Sequence, residues 1–177
     1  LKGALDDVGH RRALAEALDE GKVRFIQGSV MDFPQMTEIF RQHRGAIDGI
    51  IHTVGIMGEL VLENPHGNVK LNIGGTHNML EIARQFEIPK IVYTSTGAVY
   101  GAVEGIVSED QYPPNPCDLY GSTKASAEFL GQQYANAFGF DFRISRVYFC
   151  YGQGKLPSRF IRLYRLAFGA LEGLEDL

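Results

Sequence analysis

The sequence is poor in several things, and each shortage narrows what the protein can be. Only two of its 177 residues are cysteine, Cys117 and Cys150, far apart. Two isolated thiols make neither a disulfide framework nor a metal site, so a reducing, cytoplasmic setting is expected and no metal centre. No apolar run approaches the length of a membrane span. The opening residues, Leu1-Lys2-Gly3-Ala4-Leu5-Asp6-Asp7, lack the long apolar stretch of a secretory signal. Basic charge is not in excess: the formal net charge of −4 offers no field to draw the chain to nucleic acid or to an anionic membrane. There is no internal repeat and no low-complexity tract. There is no initiating methionine and no obvious first strand, and the closing LEGLEDL does not read as the end of a domain. A fragment, or a sequence with its ends missing, is expected.

What is present suits one soluble domain with a real core. Apolar residues make up 45% and charged residues 21%, ordinary values for a globular chain. Four short apolar runs, rich in β-branched and aromatic residues, predict buried strands: Val23–Gln27, Gly49–Thr53, Lys90–Thr94 and Phe142–Phe149. Most are nearly continuous rather than alternating, which predicts parallel strands covered on both faces. Helical spacing predicts helices over Val8–Glu20, Pro34–Gln42, Asn72–Phe86, Leu119–Phe138 and Ser158–Phe168. Alternation of strand and helix points to an α/β fold with a parallel sheet.

In such folds ligands sit past the carboxyl ends of the strands. The segments there are Gly28–Asp32 (GSVMD), Val54–Gly58 (VGIMG), Ser95–Gly101 (STGAVYG) and Cys150–Gly154 (CYGQG). Glycine lets a backbone approach a ligand closely, although it also serves ordinary turns. The longest irregular stretch, Gly101–Asp118, holds Pro113, Pro114 and Pro116 and is long enough to be a functional loop.

YGSTK, Tyr120 to Lys124, opens the helix after that loop. A four-residue spacing puts both side chains on one helix face. A free phenol titrates near 10, too high for a base at neutral pH, and a nearby ammonium stabilises the phenolate. The lysine's donors can also hold ribose hydroxyls and bring a nicotinamide ring beside the phenol. Tyrosine could then move a proton at a carbinol oxygen while hydride moves to or from the cofactor. A hydroxyl at the preceding strand end, Thr96 or Ser95, would share that oxygen. A Tyr-x-x-x-Lys pair is also an ordinary amphipathic surface contact, so its order after a hydroxyl-bearing strand end and a proline loop carries the argument.

Six segments in order then resemble one family. GSVMD resembles Gly-Asp-Ile/Val-x-Asp, IIHTVG a strand ending in His-x-Ala-Ala/Gly, and NIGGTHNMLEIAR the Asn-Val-x-Gly-Thr-x-Asn helix. KIVYTSTGAVYG resembles a strand ending in Ser-Ser-x-x-Val-Tyr-Gly, EDQYPPNPCDLYGSTKASAE the loop and helix with Tyr-x-x-x-Lys, and SRVYFCYGQG the Leu-Arg-x-x-Asn-Val-Tyr-Gly strand. Together they are similar to the extended short-chain dehydrogenase/reductases, the NAD-dependent epimerase/dehydratase branch. The resemblance runs from about Val23 to Gly154. It implies a Rossmann-like, doubly wound parallel sheet in three α/β/α layers, incomplete at both ends. Residues 1–155 would be a partial dinucleotide-binding domain and 156–177 the start of a truncated substrate-binding region.

The resemblance also implies roles. Tyr120 matches the catalytic tyrosine, Lys124 the lysine that binds ribose and tunes it, and Thr96 the catalytic serine or threonine, with Ser95 as second choice. Ser29 and Val30 fall in the adenine-side turn, and Thr53, Val54 and Gly55 under the pyrophosphate and ribose. Asn72 falls near the nicotinamide ribose and Tyr148 near the carboxamide. His52 would be structural. The cofactor would be NAD or NADP, the substrate a small molecule such as a nucleotide sugar, and two copies would pair as a homodimer through Asn72–Phe86 and Leu119–Phe138.

The departures are informative. The family's Gly-x-x-Gly-x-x-Gly turn is absent, so the chain as given is expected to bind cofactor poorly. Ser29 replaces an aspartate that holds the adenine amino group. Phe149 and Cys150 replace Asn-Val or Asn-Pro near the substrate. Gly97-Ala98 stand where 4,6-dehydratases carry two acids, which disfavours dehydration. The expected activity is therefore epimerisation of a carbinol carbon. The alternatives are reduction of a small ketone or aldehyde, or a non-catalytic dinucleotide sensor.

Overall fold

A computed structural model describes residues 15–110 and 114–148. Two compact units are separated by contact, and Gln27–Tyr148 forms the one that carries every element below. Helix α1, Phe33–Gln42, starts at Asp32, whose carboxylate accepts from the Gln35 N–H (3.0 Å), with Pro34 in the first turn. Strand β1 is Ile50–His52. Two short helices follow, α2 (Leu60–Glu63) and α3 (Pro65–Val69). The chain then makes one wide π turn, Lys70–Gly75, before α4, Thr76–Gln85. Strand β2 is Lys90–Thr96 and leads into a 3₁₀ turn, Gly97–Tyr100. Helix α5, Leu119–Phe138, and strand β3, Asp141–Val147, complete the unit.

The strands pair in parallel in the order β1-β2-β3. Register places His52 beside Tyr93 and Tyr93 beside Ile144. Side chains alternate across a strand, so Ile91, Tyr93 and Ser95 leave β2 on one face and Val92, Thr94 and Thr96 on the other. The first face is the core. Ile50, Ile91, Tyr93 and Phe142 pack there against Met79, Leu80, Ile82 and Ala83 of α4 and Ala127 and Ala135 of α5. Each large apolar side chain buried this way contributes roughly 1.5–3 kcal/mol. Among the described residues this face alone is covered by helices, and Ile51 on the other is 76% exposed.

Two expectations change. Val23–Gln27 makes no strand; Val23, Phe25 and Ile26 are exposed. A strand exists through its ladder partners, and among the described residues the sheet ends at β1, which pairs with β2. The second concerns the buried stripe of α5. Apolar spacing predicts Ala127, Leu130, Tyr134 and Phe138, yet Phe138 is 52% exposed. The buried residues are Gly121, Thr123, Lys124, Ala125, Ala127, Glu128, Gly131 and Ala135, mostly small or polar. Gly131 explains part of this: a Cβ there would meet the Phe142 ring at 2.1 Å, so the helix lies close on the sheet only because that position is bare. The predicted helix Ser158–Phe168 lies outside the described residues, as does most of Val8–Glu20, of which 15–19 are helical.

Candidate active site

Asp118 fixes where α5 begins. Its carboxylate accepts from the Gly121 N–H (2.6 Å), and the first turn packs against the 3₁₀ turn after β2; a Cβ on Gly121 would meet the Ala98 carbonyl at 2.7 Å. This contact brings Tyr120 to the end of β2, where its phenol lies near the Thr96 hydroxyl. Thr96 also accepts from the Ala98 N–H (3.2 Å), which orients its oxygen. Burial pushes the phenol's pKa up, the nearby Thr96 hydroxyl pulls it down, and Asp118 pushes it up; the net direction is upward. The expected depression by Lys124 is absent, because the lysine turns elsewhere.

Lys124 is 3% exposed. Its ammonium donates to the Thr94 carbonyl (2.7 Å) and lies 4.6 Å from the centre of the Tyr93 ring. Burial pushes its pKa down to about 8. The Gly55 backbone passes over it: a Cβ on Gly55 would lie 3.5 Å from the Lys124 Nζ and 3.2 Å from the Asn72 Oδ1. Thr53, Val54 and Gly55 are exposed just past β1, so their backbone, Lys124 and the Thr96–Tyr120 pair all belong to the carboxyl-end side of the sheet.

Asn72 takes part differently from its expected place beside a ribose. From the π turn its Oδ1 accepts from the Ile56 N–H (2.8 Å). Its Nδ2 donates to the Ile56 carbonyl (3.1 Å) and to the Thr123 hydroxyl (3.0 Å). The amide is therefore engaged by protein, and its effect on the site is to hold the Gly55–Ile56 backbone. Buried Asn68 supports the same carbonyl (3.0 Å).

Ser95 does not join this group. It leaves β2 on the core face, is 3% exposed, and donates to the Glu128 carboxylate. That carboxylate also pairs with Arg146 (2.8 Å), whose guanidinium lies 4.7 Å over the Tyr100 ring. This is the correction to the second-choice hydroxyl: strand alternation sends it under α5. Glu128 and Arg146 were missed in the sequence. The signal was there, since Glu128 repeats the four-residue step that links Tyr120 to Lys124.

His52 is buried. The Thr76 hydroxyl donates its single proton to the Asn72 carbonyl (2.6 Å), so at 3.1 Å the His52 Nε2 must be the donor to it. Burial, then Lys124, pushes its pKa down to about 4, which keeps the ring neutral at pH 7. Ser29 and Val30 lie in a turn closed by its own bonds: Met31 N–H to the Ser29 hydroxyl (3.2 Å), Ser29 N–H to the Gln35 side chain (3.0 Å), and the Asn78 amide to the Val30 carbonyl (2.8 Å). Tyr148 stacks on Tyr100 at 6.0 Å. A cleft of about 850 Å³ runs along β3, lined by Tyr100, Gln132, Phe142, Ile144 and Arg146 among others, but none of Thr96, Tyr120 or Lys124 lines it.

Comparison with known proteins decides the family. The NAD dependent epimerase/dehydratase family matches residues 5–172. This chain belongs to that family. A relative from Thermodesulfobacterium geofontis, a UDP-glucuronate 4-epimerase, is 32% identical over 144 residues, 78% of this chain and 44% of the relative. The chain thus spans less than half the length of that epimerase. The crystal structure of UDP-glucose 4-epimerase from Thermus thermophilus, in complex with NAD, superposes with a TM-score of 0.70 at 28% identity, covering 88% of this chain and 50% of that one. A dTDP-glucose 4,6-dehydratase from Streptomyces venezuelae, with NAD and a second ligand bound, superposes with a TM-score of 0.75 at 26% identity, covering 92% and 49%. The fold is the Rossmann-like α/β fold of these epimerase/dehydratase-family enzymes.

Proposed function

We propose that this chain carries the dinucleotide-side half of an NAD-dependent enzyme that epimerises a carbinol carbon of a nucleotide sugar. The observation that carries the reading is the approach of Tyr120 to Thr96 at the end of β2, one helical turn from the buried Lys124. The residues present fit the nicotinamide half of the cofactor. The Thr53–Gly55 backbone is exposed past β1, Gly55 has no side chain above Lys124, and the ammonium keeps two N–H donors after serving Thr94. Those donors are offered to ribose hydroxyls. The sequence has no Gly-x-x-Gly-x-x-Gly turn, so no glycine-rich turn of this chain is assigned to the pyrophosphate.

When bound, the dinucleotide supplies the hydride acceptor and donor. Tyr120, in its phenolate form, accepts the carbinol proton and later returns it, and Thr96 donates to the same oxygen and orients it. Among the relatives' chemistries epimerisation is favoured over dehydration. Gly97 and Ala98 hold no proton to give, and the space beside Gly97 is filled by the Tyr148 ring.

The test is Tyr120→Phe in the full-length protein, supplied with NAD and either UDP-glucose or UDP-glucuronate, with the sugar product separated by chromatography. Turnover is expected to fall roughly 10²–10⁴-fold. Retained turnover overturns the proton-transfer role. A wild-type protein that instead oxidises or reduces a small carbonyl compound, with no 4-epimer formed, overturns the epimerase reading.

A further inference from the structure

Lys124 raises a question that its spacing from Tyr120 does not answer: what holds a buried ammonium in place. A charge removed from water normally has an opposite charge beside it. Among the described residues Lys124 makes no ion pair. The acid one turn further along α5, Glu128, bonds to Arg146 and Ser95, and its charge offsets only part of the burial of Lys124. From β1 the facing group is His52, neutral at pH 7; from the π turn it is Asn72, with its amide engaged. On α5 itself Tyr120 lies near Thr96. The groups in direct contact with the ammonium are the Thr94 carbonyl and the face of Tyr93.

We propose that Tyr93 is a positioning residue whose ring face seats the Lys124 ammonium at the Thr94 carbonyl, in the place a carboxylate would ordinarily fill. At 4.6 Å the ammonium is within the range where the ring quadrupole attracts a cation, and burial strengthens that attraction. The ring itself is locked. It stacks between His52 (5.8 Å) and Phe142 (5.9 Å), and its residue is fully buried. Its hydroxyl makes no bond of proper geometry. Burial pushes the phenol's pKa up, and the nearby Thr76 offsets only part of that. The residue is therefore not kept for its oxygen. The substitution of ring for carboxylate has a chemical consequence. A carboxylate would accept the lysine's N–H groups, whereas a π face steadies the charge and leaves two of them unspent.

The use of those donors rests on the function proposed above; the seat itself does not, and the experiment separates them. The full-length protein is labelled with ¹³C and ¹⁵N lysine, the Lys124 signal is assigned by its loss in Lys124→Arg, and its titration is followed by NMR. Position 93 carries tyrosine, then phenylalanine, then phenylalanine with one, two and three ring fluorines, all of nearly one shape. Tyr93→Phe is expected to leave the midpoint within a few tenths of a pH unit. Fluorination drains the ring face, and the midpoint is expected to fall stepwise, by about one unit, a tenfold change in proton affinity, at three fluorines. A flat series, or a Tyr93→Phe shift as large as that of the trifluorinated ring, overturns the proposal. If the series trends while Tyr120→Phe keeps full turnover, the seat stands and the enzymatic reading falls.

Discussion

The ring of Tyr148 lies where a side chain on Gly97 would have to be: a Cβ there would sit 2.5 Å from Tyr148 Cδ1 and 2.6 Å from its Cε1. The bare position and the ring are one unit. The ring continues the stack to Tyr100, over which Arg146 lies.

Gly97→Ala is therefore expected to push Tyr148 off its seat and break its stack with Tyr100. In urea unfolding the loss should be about 1–2 kcal/mol, in the range of an overpacked contact. In Tyr148→Ala the same change should cost far less, with a coupling of at least about 0.5 kcal/mol in the double-mutant cycle. Additive losses would mean that the two residues do not compete for space.

Thr96 and Ser95, adjacent in sequence, are expected to behave oppositely. On the proposed function, Thr96→Val in the full-length protein should lower kcat by roughly 10–10³-fold with little change in Tm, because one donor to the reacting oxygen is lost. Ser95→Ala should leave kcat within a few fold and cost about 1–2 kcal/mol of stability, because a buried carboxylate loses one of its donors. Kinetics and thermal unfolding on both variants check this.

Arg146 neutralises a carboxylate whose side chain is 3% exposed, and is itself 13% exposed. Arg146→Ala should cost about 3–5 kcal/mol, since the acid is left buried and unpaired. Adding Glu128→Gln should recover part of that loss. Chemical denaturation of the single and double variants measures both.

His52 sets an acid limb of stability. Its folded pKa, about 4, lies below the ordinary 6.5, so the unfolded chain takes up the proton first. Stability from the neutral ring is present above pH 6.5 and is lost as pH falls toward 4, with a slope of up to about 1.4 kcal/mol per unit. In His52→Gln, urea midpoints between pH 6.5 and 4 should vary less. Lys124 acts in the alkaline range. Its folded pKa of about 8 lies below 10.5, so its burial cost is present below pH 8 and is relieved as pH rises through that window.

Much was legible in the residues. The apolar runs at Gly49–Thr53 and Lys90–Thr94 sit on β1 and β2, and Pro34–Gln42 and Leu119–Phe138 sit on α1 and α5, because run length, proline and capping aspartates act locally. Tyr120 and Lys124 share a helix for the same local reason. Val23–Gln27 was not legible, because a strand needs a neighbour and local propensity supplies none.

By itself the sequence determined the order β1, α4, β2, α5, β3, the four-residue step from Tyr120 to Lys124, and the bare Gly97 at a strand end. These depend on short-range stereochemistry. Tertiary packing decided the rest. It sent Ser95 into the core, because α5 lies on one face of β2, and it set the start of α5, with Tyr120, beside the end of β2 that carries Thr96. It also turned the buried stripe of α5 to small and charged residues, because Phe142 needed the room at Gly131. Lys124 points at a carbonyl and an aromatic face rather than at its phenol, because buried charge goes wherever the assembled core leaves it a partner.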